Sequence, residues 1–148
     1  MRHIILILTI IFGLTTISAA DDYKQSPEYL ELRDSMTHAF NDGDSARFFP
    51  ALQNLENYLL NQNDLHAYYT QRCNEIVFLM NRQRIFEAYK LARKLANELR
   101  EKKLDDEMYM AYNMLGHLNR YCGNKETAKE NFRMVIEMME KAGYYESM

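Results

Sequence analysis

The chain is short of the residues that make tight turns, cross-links and reactive sites. Its 148 residues include no tryptophan, two prolines, five glycines and two cysteines. With Gly and Pro so sparse and Met, Leu, Tyr, Glu, Asn and Lys plentiful, helix is favoured over sheet. No Gly-rich phosphate loop and no nucleophile elbow occurs. No two histidines stand at i and i+4, and there is no HExxH, so a metal site and any resident cofactor are not expected. Nothing in the sequence argues for an enzyme. The net charge of -3 is too small to imply a nucleic-acid or membrane partner. The apolar fraction of 47% is ordinary for a globular domain and excludes disorder, and the length suits one domain.

What the chain does have begins with a run of hydrophobic residues. Met1-Arg2-His3 is a short basic start, Ile4 to Ile17 is almost wholly apolar, and Ser18-Ala19-Ala20 offers the small side chains that a signal peptidase reads. The run is short of the roughly 20 residues of a bilayer span, so 1–20 reads as a cleaved signal peptide rather than a retained anchor. No Cys follows it, so a lipoprotein anchor is not suggested. The mature domain would span 21–148 and work outside the cytoplasm, in the periplasm if the cell is Gram-negative.

The rest reads as six helices in three hairpins, about 27–60, 64–101 and 105–141. Ser26-Pro27-Glu28 is a helix start, with Ser as N-cap and Pro at the first position. Asn41 to Asp44, Asn61 to Asp64, Asn81 to Gln83 and Lys102 to Asp106 are breaks. Pro50 is placed in the first turns of the second helix, where a missing N–H costs little. From Tyr112 to Val135 the pattern is clearest. Tyr112, Leu115, Gly116 and Asn119 keep helical spacing, Gly123-Asn124 breaks it, and Ala128, Phe132 and Val135 resume it.

A shift of 40 residues exposes a repeat. It aligns Gly43, Gln83 and Gly123 at turns. On the second helix of each hairpin it aligns Phe48, Ala88 and Ala128, then Leu52, Ala92 and Phe132, then Leu55, Leu95 and Val135, then Leu59, Leu99 and Met139. First helices agree less well: Met36, Ile76 and Gly116 share a column, but Glu75 stands in the column of Leu115. A non-repeating helical bundle is the alternative.

The segment Tyr112–Val135 resembles the tetratricopeptide repeat. Tyr112, Leu115, Gly116, Gly123, Ala128 and Phe132 match that motif. Asn119 replaces its usual aromatic, Val135 its usual Ala, and Glu140 its closing Pro. The resemblance implies an all-α solenoid of antiparallel hairpins that binds protein or peptide. It also implies a concave face lined by first helices, which places Asn113, His117 and Arg120 as candidate contacts. Whole segments, such as Gln71–Ala92 and Met114–Lys129, also resemble the periplasmic N-terminal sensor region of Bacteroides-type sensor histidine kinases. That likeness implies the sensory part of a two-component system. A free-standing periplasmic adaptor or scaffold is the alternative.

Four further expectations follow. Cys73 and Cys122 lie in different registers of the repeat, too far apart for a disulfide, and are expected to be free and mostly buried. Arg82, Arg84, Lys90, Arg93, Lys94, Arg100, Lys102 and Lys103 make the fourth helix basic, either as a solvated face or for an acidic peptide or polyanion. Tyr29, Tyr68, Tyr69, Tyr109, Tyr112 and Tyr121 form either a peptide groove or interhelical packing. No polar cap follows the last hairpin, so its far face is expected to meet a continuation of the chain, a partner or a second copy, the alternative being a short tail that folds back as its own cap.

Overall fold

A computed structural model describes residues 22–143. The expected signal peptide and Tyr144–Met148 lie outside the described residues. Within them the chain is all-α. Helices α1 (Pro27–Asp42), α2 (Ser45–Asn61), α3 (Leu65–Asn81), α4 (Ile85–Glu101), α5 (Met108–Tyr121) and α6 (Lys125–Lys141) run in sequence. Short 3-10 turns, Asp22–Gln25 and Asp105–Glu107, precede α1 and α5. Each helix packs against the next, and α3 also packs against α5. The result is a stack of three antiparallel hairpins.

The turns explain the stack. At every junction one residue adopts the left-handed backbone region: Gly43, Asn63, Gln83, Lys103, Gly123 and Gly143. These lie 20 residues apart, so the repeat is finer than the 40-residue shift suggests. At the first five junctions the left-handed residue donates its N–H to the carbonyl three residues back. The next N–H reaches five back: Asp44 to Ala39, Asp64 to Leu59, Arg84 to Leu79, Leu104 to Leu99, Asn124 to Asn119. These are Schellman closures, which use up the last free carbonyls of the helix. At Asn63, Gln83 and Lys103 the side chain works against this conformation by roughly 1–2 kcal/mol relative to glycine. The residues that receive the long bond, Ala39, Leu59, Leu79, Leu99 and Asn119, are all buried.

Ser26 caps α1 through its side chain, with Pro27 at the first position; Asp44 and Asp64 cap α2 and α3. Pro50 departs from expectation. It is the sixth residue of α2, beyond the first turn, so the carbonyl of Ala46 loses its helical donor. Ala46 and Pro50 are both exposed, which leaves that carbonyl open to solvent.

Two apolar clusters hold the stack. The first lies among α1, α2 and α3, centred on the stacked rings of Phe48 and Phe78, 3.9 Å apart. The second lies among α3, α4 and α5 and includes Tyr69, Ile76, Leu79, Ala92, Leu95 and Leu99. Helix α3 contributes to both, which makes it the central element.

Candidate functional site

Asn113, His117 and Arg120 lie on one side of α5, at steps of four and three residues, over about 10 Å of helix. Asn113 and His117 are half-buried and Arg120 is exposed. Asn113 and Arg120 make no side-chain hydrogen bond or ion pair among the described residues. His117 meets Phe132 of α6 edge to face, with ring centres 5.2 Å apart. Its pKa is lowered, first by burial and then by the charge of Arg120, so the ring is neutral at neutral pH. Phe132 reaches this place because Gly116 has no side chain: a Cβ there would lie 2.6 Å from the ring.

Beside this row is the outer side of α6. Its columns match those of α2 and α4, but its burial does not. Leu52, Leu55 and Leu59 on α2 are buried, as are Ala92, Leu95 and Leu99 on α4. Their counterparts Phe132, Val135 and Met139 are half-exposed, and Ile136 is 48% exposed where Ala96 is buried. Helix α3 covers α2 and helix α5 covers α4; the only buried residues of α6 are Ala128 and Asn131.

A third place was not anticipated. Between α2 and α4, over α3, the carboxylates of Glu56 and Glu75 stand on either side of Arg72, at 3.5 and 2.9 Å from its Nη1. The atoms facing Arg72, Glu56 Oε1 and Glu75 Oε2, are buried and make charge contact without a well-formed hydrogen bond. Burial raises the pKa of Glu56; Arg72 opposes that, while Glu75 and Glu98 add to it. Burial works against the charge of Arg72, and Glu75 and Glu56 more than offset it. Next in line, Glu98 accepts from the Tyr69 hydroxyl at 3.1 Å and from Lys102 at 2.9 Å. The sequence signal was there, in the misfit of Glu75 to its apolar column.

Asn119 is also resolved by the fold. Its Nδ2 donates to Asn131 Oδ1 at 3.0 Å, and its Oδ1 accepts from the Tyr89 hydroxyl at 3.2 Å. Asn119 and Asn131 are counterparts of Leu79 and Leu91 in the second hairpin and of Ala39 and Ala51 in the first. One buried polar pair therefore replaces two apolar pairs.

The tyrosines do not form a stripe. Tyr69 is fully buried, Tyr29 packs with Tyr23 and Tyr58, and Tyr121 is 54% exposed. Both cysteines are free. Burial pushes the Cys73 thiol up to about 12. Cys122 corrects the expectation of two buried thiols: it caps the end of α5 and is exposed. His66 pairs with Glu107 at 3.0 Å and His38 bonds the Asp34 carbonyl. Among the described residues no group of His, Cys, Asp and Glu is arranged to hold a metal ion, and no helix is long and apolar enough to cross a membrane. Comparison with protein-family models, curated proteins and solved structures found no match.

Proposed function

We propose that this chain is a TPR-like solenoid module that binds protein or peptide and works outside the cytoplasm, as the sensory N-terminal part of a two-component sensor histidine kinase. The extracytoplasmic and sensory parts rest on the leader-like start and the resemblance of whole segments. The binding part rests on one observation. The outer side of α6 carries the apolar columns that α2 and α4 bury, and among the described residues no further helix covers Val135 and Ile136.

The occupant that fits is an amphipathic helix running antiparallel to α6, as α3 lies on α2 and α5 on α4. Gly143 supports that direction, because it takes the left-handed conformation that redirects the chain at each earlier junction. Asn113, His117 and Arg120 border this face and would supply polar contacts to whatever occupies it.

A labelled synthetic peptide with the sequence of residues 104–121, the helix that covers α4, is the probe. Saturable anisotropy change with the full chain, reduced by Ile136→Glu and by Asn113→Ala with His117→Ala at an unchanged melting temperature, supports the reading. Binding that neither variant alters, or no binding at millimolar peptide, overturns it.

A further inference from the structure

The outer side of α4 carries a second surface, independent of the α6 face. Phe86, Lys90, Arg93, Asn97 and Arg100 follow one another at alternating steps of four and three, one line about 21 Å long. All five are exposed, Phe86 to 84%. Lys94 stands beside the line.

What sets this line apart is the shortage of counter-charge. Elsewhere on the helices most exposed cations have an acid within a turn or so. Arg47 is held by Asp42 and Asp44, Lys129 by Glu126, and Arg133 by Glu130 and Glu137. Lys90, Arg93 and Lys94 have no ion-pair partner among the described residues. Of the acids near the line, Glu87 is engaged by Arg84 and Glu98 by Lys102 and Tyr69, which leaves Glu101, at the C-terminal end of α4, as one carboxylate facing several cations. Lys90 and Lys94, four residues apart, repel each other, and an anion between them relieves that repulsion.

The neighbourhood narrows the partner. On one side of the line a cleft of about 510 Å³ opens between α2 and α4. Phe49, Leu79 and Leu91 make it apolar, and Lys90 and Lys94 also line it. Of its two acids, Glu87 is paired with Arg84, and Glu75 shares Arg72 with Glu56 and turns its buried oxygen toward that guanidinium. On either side, α2 and the middle of α6 are charge-balanced by the pairs above. The positive field is therefore one helix wide. That width suits a single chain laid along α4 better than a membrane plane, which would need cations spread across all three outer helices.

We propose that the outer side of α4 docks an acidic peptide that carries one bulky apolar side chain. Its carboxylates pair with Lys90, Arg93 and Lys94, and its apolar group enters the cleft at Phe49, Leu79 and Leu91. Because this face shares no residue with the α6 site, either reading can fail without the other.

The test is a fluorescein-labelled acidic peptide with one leucine at its centre, titrated against the full chain and followed by anisotropy. A counterpart with glutamine for every acid is the control peptide. Expected are saturable binding that weakens steeply with salt, and little binding of the glutamine peptide. Lys90→Glu with Lys94→Glu should lower affinity by about tenfold or more, whereas Lys129→Glu should leave it unchanged. All these side chains are exposed, so the variants should melt with the wild type. Equal affinity for the two peptides, indifference to the charge reversal, or no binding at millimolar acidic peptide would overturn the proposal. So would stronger adsorption to phosphatidylglycerol vesicles than to the peptide, since the surface would then be a membrane contact.

Discussion

Helices α4 and α6 hold the same place in successive hairpins, and the difference between them separates pattern from packing. Both start just after a left-handed turn, both have 17 residues, and both carry an apolar stripe at matching positions. Helix α4 is covered by α5 and buries Ala92, Leu95, Ala96 and Leu99. Helix α6 has no such cover among the described residues, and Phe132, Val135, Ile136 and Met139 remain in contact with solvent. An amphipathic stripe creates the capacity for burial, and only a neighbouring element realises it.

The largest effect should come from one truncation made on each helix. Leu95→Ala removes a buried side chain and should cost about 2–5 kcal/mol in urea unfolding. Val135→Ala, in the same column, should cost under about 1 kcal/mol because its site is already half in water. Equal losses would break the comparison.

Next is the polar pair. Asn119→Leu strands Asn131 and should cost about 1–3 kcal/mol. Adding Asn131→Leu reproduces the Leu79 and Leu91 pair of the second hairpin and should recover most of that loss. A double variant no better than the single one would show that the hairpins are not equivalent here.

A somewhat smaller effect concerns volume. Where the second hairpin has Ile76 and Ala92, the third has Gly116 and Phe132, with large and small exchanged. Gly116→Ala should cost about 1–2 kcal/mol, softened because Phe132 is half-exposed and its ring can shift. Gly116→Ile with Phe132→Ala should be milder than Gly116→Ile alone. If the second change brings no relief, the columns do not pack as counterparts.

The smallest effect is one of pH, at the covered helices. Folding raises the pKa of Glu56, chiefly by burial. A carboxyl with a raised pKa binds its proton more tightly when folded. It is neutral below both its unfolded and folded values, and its penalty grows as pH climbs from the unfolded value of 4.5 through the folded one. Glu56→Gln should therefore gain on the wild type as pH rises above about 4.5, read as the difference in urea midpoints. A difference that does not change with pH would show that Arg72 fully compensates the buried charge.

Much of the fold was legible from local chemistry. Ser26-Pro27 and the Gly turns at 43 and 123 mark helix ends because their conformational preferences act within a few residues. The breaks around Asn63 and Lys103 were legible too, but not that these residues take the left-handed backbone, since nothing about asparagine or lysine requires it. Of the candidate site, the side of α5 shared by Asn113, His117 and Arg120 follows from spacing alone. That His117 leans on Phe132 and stays neutral does not, because it depends on the empty Cβ position of Gly116. The misfit of Glu75 to its apolar column hinted at the Glu56, Arg72 and Glu75 cluster, but its members lie up to 19 apart in sequence, so local pattern could not name the partners.

By itself the sequence determined the helices, their 40-residue repeat and the apolar side of each one. Periodicity and turn preference are properties of neighbouring residues. Only the tertiary structure decided which stripes are sealed and which stay open, why Asn119 can be buried, and which cations are left without acids. Burial and pairing depend on what another helix brings into contact. On α4 that neighbour is present, and on α6 the described residues end without one.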